Sequence, residues 1–185
     1  QHLPLARAAW SAVEVWMPRV ETSQTLTRSA APPVPAADQD ICFDAALDAL
    51  TARSLLRGQA VFAEWLRRDP RAFDQAATSV VQTAQAMARA IAAVPPVQRA
   101  VQRASIRELL CVSGGVGGAE RHLARIAFEW AVATTTTPPS TDVLFSMRPS
   151  AWILVQAGGV DALTRQLVEA SSSSCPALWI QTDPS

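Results

Sequence analysis

Residues 71–94, RAFDQAATSVVQTAQAMARAIAAV, contain neither glycine nor proline, and their apolar positions recur with a helical period. Phe73, Ala77, Val80, Ala84, Met87 and Ile91 fall on one stripe, which predicts a long amphipathic helix with a buried face. Asp69-Pro70 precedes the stretch and Pro95-Pro96 follows it. A proline ring removes a helical donor and clashes with the preceding turn, so these pairs limit the helix on both sides. A rod of this kind, roughly 36 Å long, must bury its stripe against other elements, and the rest of the chain is read as supplying them. Composition agrees: 49% of the residues are hydrophobic, with alanine prominent, glycine scarce and tyrosine absent. Alanine has the best intrinsic helix propensity, so the expected class is all-α.

In chain order, residues 4–18 form a short helical pattern with Leu5, Ala9, Val13 and Trp16 on one stripe and Trp10 beside it. It reads either as a helix folded back on the core or as an arm that packs on a neighbouring subunit through Trp10 and Trp16. Residues 21–40 are polar and proline-rich and read as an extended linker. The body starts near Asp40, taken as the N-cap of a helix carrying Phe43, Leu47, Leu50, Ser54 and Leu55 at helical spacing. Gly58 interrupts the pattern before a second helix over 59–68, and a further helix is expected over 97–112. SGGVGG at 113–118 lacks the preceding strand, the lysine and the spacing of a phosphate cradle, so it reads as a helix end and hinge. Residues 119–133 make another helix, with Leu123, Ile126, Ala127, Trp130 and Ala131 facing a core, until TTTTPP stops it. The apolar run from Val143 to Val160 is open between short helix and short strand, and 160–170 reads as helix with Asp161 in its first turn. The serine run that follows argues for a flexible tail, from which Leu178 and Trp179 dock on the body or on another copy. The expected architecture is a single orthogonal helical bundle over 41–170, an N-terminal arm and linker over 1–40, and an extended C-terminal tail over 171–185.

Few residues invite chemistry. Sixteen basic and sixteen acidic residues cancel, so no overall field draws the chain onto nucleic acid or a membrane. No apolar run is long enough to span a membrane, and no secretory signal is visible; a start at Gln1 suggests processing or trimming. Three cysteines, odd in number and without a CxxC pair, suggest a reducing compartment, with Cys42 and Cys111 as small core residues. No Cys/His cluster implies a metal, and no cofactor is expected. Asp44 and Asp48 sit one turn apart and read as a solvated helix face. His122, Ser113 and Cys111 form no nucleophile–base–orienter set with them, so an enzyme is not expected. Arg99, Arg103 and Arg107 repeat every fourth residue and form one basic ridge, able to track a phosphate backbone or simply to be solvated. Arg125 and Glu129 are spaced for an ion pair within one helix.

Ser105–Leu109 (SIREL) and Leu123–Pro138 (LARIAFEWAVATTTTP) resemble the coat proteins of flexuous filamentous plant viruses, the potyvirus type in particular. Arg107 matches the arginine of the family's first motif, Phe128 its phenylalanine and Glu129 its aspartate. Thr134, Thr137 and Pro138 match the break that follows. The resemblance covers about a quarter of the chain, with glutamate for aspartate at 129 and a shorter connection between the motifs. It implies an all-helical core whose arginine and acid lie at an RNA groove and whose arms link subunits into a filament. On that basis Arg99, Arg103, Arg107, Arg125 and Glu129 are the candidate nucleic-acid contacts, with Glu129 orienting an arginine. The expected role is a structural subunit that polymerises around single-stranded RNA, placed in a virion or the cytoplasm. The alternative is a helical scaffold or adaptor of a larger complex without nucleic acid.

Overall fold

A computed structural model describes residues 21–30, 39–111, 118–134, 141–156 and 159–181. Among them the protein is mainly helical. In order come α1 (Ser23–Ala30), α2 (Ala45–Arg57), α3 (Ala60–Arg68), α4 (Pro70–Ala92), α5 (Pro96–Cys111), α6 (Gly118–Thr134) and α7 (Thr141–Ser146). Strand β1 (Trp152–Gln156), helix α8 (Ala162–Ser171) and strand β2 (Ala177–Gln181) complete the series. The expected arm helix with Trp10 and Trp16, most of SGGVGG and all of the TTTTPP break after Thr134 lie outside the described residues.

Helix α4 is the rod foreseen from its stripe. Pro70 occupies its first turn, where a missing N–H costs nothing, and the Asp69 carboxylate accepts the Ala72 N–H at 3.0 Å. Its buried face runs through Phe73, Ala77, Val80, Ala84 and Ile91, widened by Ala76, Val81 and Ala88. Helices α2, α3 and α6 pack around it, and Leu56, Phe62 and Phe128 close the core with it. Each of those large side chains, taken out of water, contributes about 1.5–3 kcal/mol. The alanines let α6 lie close along α4, because small residues on facing ridges shorten the distance between helix axes.

Three local expectations are overturned. Helix α2 begins at Ala45 and not after Asp40, because Asp44 is the residue whose carboxylate accepts the Ala46 and Leu47 N–H groups. That choice rotates the helix so that Asp48, Ala52 and Leu56 face inward, while Phe43, Leu47 and Leu50 are exposed. Cys42 and Cys111 are exposed too, the first in the turn before α2 and the second at the end of α5; Cys175 is the buried one. Burial, then the carboxylates of Asp48, Asp40 and Asp44, raises the Cys42 thiol, which makes it a poor nucleophile at neutral pH. Finally, the linker is not extended throughout, since 23–30 form α1. Thr22 and Thr25 cap each other reciprocally, each backbone N–H donating to the other's hydroxyl at 2.9 and 3.1 Å, and the helix packs on α7.

The C-terminal part is a small β–α–β unit in place of a tail. β1 and β2 are parallel, with Trp152 opposite Ala177 and Gln156 opposite Gln181. The serine run is a turn, in which the Ser174 and Cys175 N–H groups both donate to the Ser171 carbonyl at 2.9 Å. Trp152 Nε1 donates to Ser171 Oγ at 2.9 Å, which ties β1 to α8. The ambiguous run after the threonines thus resolves into both alternatives, a helical turn in α7 and then a strand.

Candidate nucleic-acid interface

The five candidate residues lie on α5 and α6, which pack side by side. The three arginines of α5 do not form one ridge. Four residues advance a helix by about 400°, so each arginine is turned by roughly 40° from the one before it. Arg99, at the end crowded by α4 and α7, is inside, 6% exposed, whereas Arg103 is half-buried and Arg107 is exposed. Arg99 Nε donates to the carbonyls of Ile91 at 3.1 Å and Val94 at 2.8 Å, and Nη2 reaches that of Ala92 at 3.3 Å. These are the carbonyls that a helix end leaves without partners. Nη2 also lies 2.6 Å from Asp142 Oδ1 on α7. Arg99 is a clamp between α4, α5 and α7, withdrawn from the surface.

Arg107 and Glu129 do meet. Arg107 Nε donates to Glu129 Oε1 at 2.9 Å and Nη2 donates to Oε2 at 3.0 Å, a bidentate fork that joins α5 to α6. The guanidinium carbon sits 5.7 Å from the centre of the Phe128 ring. The acid pairs across helices and not with Arg125 one turn earlier, whose charge acts on it only as the weakest of its influences. The hydrogen bonds from Arg107 hold the Glu129 carboxyl below its ordinary value of 4.5, against the opposing effect of partial burial. The pair raises Arg107 in turn. A depressed carboxyl contributes stability above its ordinary range and loses it as the pH falls through the lowered value. Glu129→Gln is thus expected to lower the neutral plateau slightly and, by the same small amount, to flatten the acid limb of stability below about pH 4.5, since the pair is half exposed. Denaturant titrations at several pH values check it, and an unaltered acid limb contradicts the pairing.

Beside this pair lies an open cleft of about 530 Å³, with His122, Arg125, Glu129 and Trp130 of α6 on one wall and Asp40 and Gln59 on the other. Segment 39–41 forms its rim and is stitched to the end of α6. Trp130 Nε1 donates to the Gln39 carbonyl at 2.7 Å, and the Ile41 N–H donates to Thr134 Oγ1 at 3.0 Å. His122 packs its ring against Phe62, with centroids 5.5 Å apart. Leu178 and Trp179 are 59% and 41% exposed on β2, whose backbone pairs with β1.

Sequence reasoning missed Asp48. It is fully buried, accepts the Cys42 N–H on Oδ1 at 2.8 Å and accepts Gln85 Nε2 on Oδ2 at 2.7 Å. The available signal was its place one turn before Ala52 and Leu56, the stripe that faces α4. Among the described residues no group of three or more His, Cys, Asp or Glu side chains is placed to hold a metal ion. No described helix is long and apolar enough to cross a membrane. Comparison with family models, with curated proteins and with solved structures finds no match to this chain.

Proposed function

We propose that this chain is a non-enzymatic assembly subunit of the coat type, one that polymerises with copies of itself around single-stranded RNA. The observation that carries this reading is the exposed Arg107 guanidinium, fixed by Glu129 and Phe128 where the two coat-like stretches meet. Two of its five N–H donors serve Glu129 and the side chain is half exposed, which leaves donor capacity for one phosphate oxygen. The paired acid keeps each such contact weak, so retention of RNA depends on many copies acting along one strand. Arg125 adds a second exposed charge on the neighbouring cleft wall. Exposed apolar residues, Val97, Val101 and Leu109 on α5 among them, provide surface that association would cover.

A helical scaffold without nucleic acid is favoured by two other observations, the neutral net charge and the withdrawal of Arg99 into the core. Electron microscopy of purified protein, with absorbance at 260 and 280 nm before and after nuclease, separates the two. Nuclease-protected filaments with a high 260 nm signal are expected. Arg107→Ala is expected to cut the packaged RNA at least tenfold and to shift the melting temperature by less than about 4 °C. Packaging that is unchanged by the substitution overturns the RNA reading.

A further inference from the structure

The two-stranded sheet ends on both sides in an unpaired edge, since no other strand occurs among the described residues. Natural edge strands are guarded by charge, proline or bulges, because a bare edge recruits further strands. Here β1 is WILVQ and β2 is ALWIQ, with no charge and no proline in either. Ile153, Val155, Leu178 and Ile180 are 62%, 66%, 59% and 42% exposed.

The backbone determines what such an edge accepts. The Trp152 N–H donates to the Pro176 carbonyl at 2.8 Å. In a parallel ladder alternate residues direct their N–H and C=O groups to opposite sides. Trp152, Leu154 and Gln156 therefore direct theirs to β2, and Ile153 and Val155 direct theirs to the outer edge of β1. On β2, Leu178 and Ile180 turn to β1, and Ala177, Trp179 and Gln181 turn outward. The two outer edges are complementary. If β1 of a second copy is laid beside β2 in parallel, Trp179 falls between Ile153 and Val155 of the newcomer. That is the same register, Trp179 opposite Leu154, that already holds inside each copy. The strands are also alike at three of their five paired positions: Ile153 pairs with Leu178, Val155 with Ile180 and Gln156 with Gln181. The incoming β1 thus meets side chains of the kind that its own β2 offers it, with no charge to repel it.

We propose that copies of this chain join edge to edge, β2 of one copy receiving β1 of the next in parallel and in register. The contact is heterologous, so it leaves a free edge at each end and builds an open chain of subunits. The inference rests on the reading of the protein as an assembly subunit and names the surface through which it assembles.

Sedimentation velocity over a concentration series tests it. Trp179→Pro removes an outward N–H from β2, Val155→Pro removes one from β1, and neither N–H serves the internal ladder. Gln181→Pro, at the exposed strand end, is a second β2 variant, and far-UV circular dichroism with thermal unfolding establishes that each protein is folded. Wild type is expected to form chains that lengthen with concentration, and each folded single variant to raise the concentration for assembly at least tenfold. An equimolar mixture of a β2 variant with Val155→Pro is expected to give dimers and nothing longer, because one good edge of each kind remains. Assembly unchanged in all three variants overturns the inference while leaving the assembly reading intact. Loss of assembly in the β2 variants alone indicates β2–β2 pairing and overturns it. Loss in Ile153→Lys but in none of the proline variants indicates stacking of sheet faces and also overturns it. Wild type that stays monomeric at every concentration overturns both readings.

Discussion

Replacing Arg99 by alanine is expected to destabilise the protein by about 3–5 kcal/mol, the range seen when one member of a buried ion pair is removed. The side chain is 6% exposed and lies 2.6 Å from Asp142 Oδ1. It also donates to the carbonyls of Ile91, Val94 and Ala92 where α4 ends. Alanine leaves a carboxylate without its cation and helix-end carbonyls without donors, in a place that water reaches poorly. Thr141 Oγ1 still donates to the Ala92 carbonyl at 2.7 Å and the Val94 N–H to that of Ile91 at 3.2 Å, so those two carbonyls keep a partner. For a chain of this size the melting temperature is expected to fall by roughly 10 °C. Arg99→Lys keeps the charge but has no fork to span neighbouring carbonyls, so it is expected to recover only part of the loss. Denaturant titration measures both. A loss under about 0.5 kcal/mol, the size expected of a surface substitution, excludes the clamp and returns Arg99 to a solvated ridge.

Asp48→Ala is expected to cost about 2–4 kcal/mol, while Asp48→Asn stays within about 1 kcal/mol of wild type. The carboxyl group accepts two neutral donors, the Cys42 N–H and the Gln85 amide, with no exposure to water. Alanine strands both donors. Asparagine can accept the Cys42 N–H with its oxygen and donate to Gln85 once that amide turns over, which restores both bonds. The backbone next to it determines how the chain responds. Phe43 has φ of 59°, a left-handed conformation that a bulky side chain adopts only under constraint. Its ring lies under the Arg89 guanidinium at 4.7 Å, and Asp48 ties down the residue before it. With that tie gone, segment 42–44 is expected to relax and become susceptible to proteolysis. Equal losses for alanine and asparagine contradict the two-donor account.

Much of the helical layout was legible because proline and the short acids act locally. Asp69-Pro70 and Pro95-Pro96 bound α4 to within two residues of the expected limits, and its stripe named most of its buried face. The pairing of Arg107 with Glu129 was legible only in part. Spacing offered Arg125 as the partner, and the resemblance placed residues 107 and 129 at one groove; the packing of α5 on α6 brought them to 2.9 Å. The ridge of arginines failed because periodicity reports angle along one helix and says nothing about which neighbours crowd one end of it.

What the sequence determined by itself was the mainly helical class and most of the breaks between helices. These follow from propensities, caps and proline sterics, which act within a turn or two of chain. Tertiary structure alone decided which polar residues went inside. Arg99 is buried because the end of α4 needs donors, and Asp48 because Gln85 and the Cys42 N–H need an acceptor. It also decided that ALWIQ is a strand. An isolated five-residue apolar segment has no preferred partner, and only its backbone pairing with WILVQ across α8 makes the extended form the one with its hydrogen bonds satisfied.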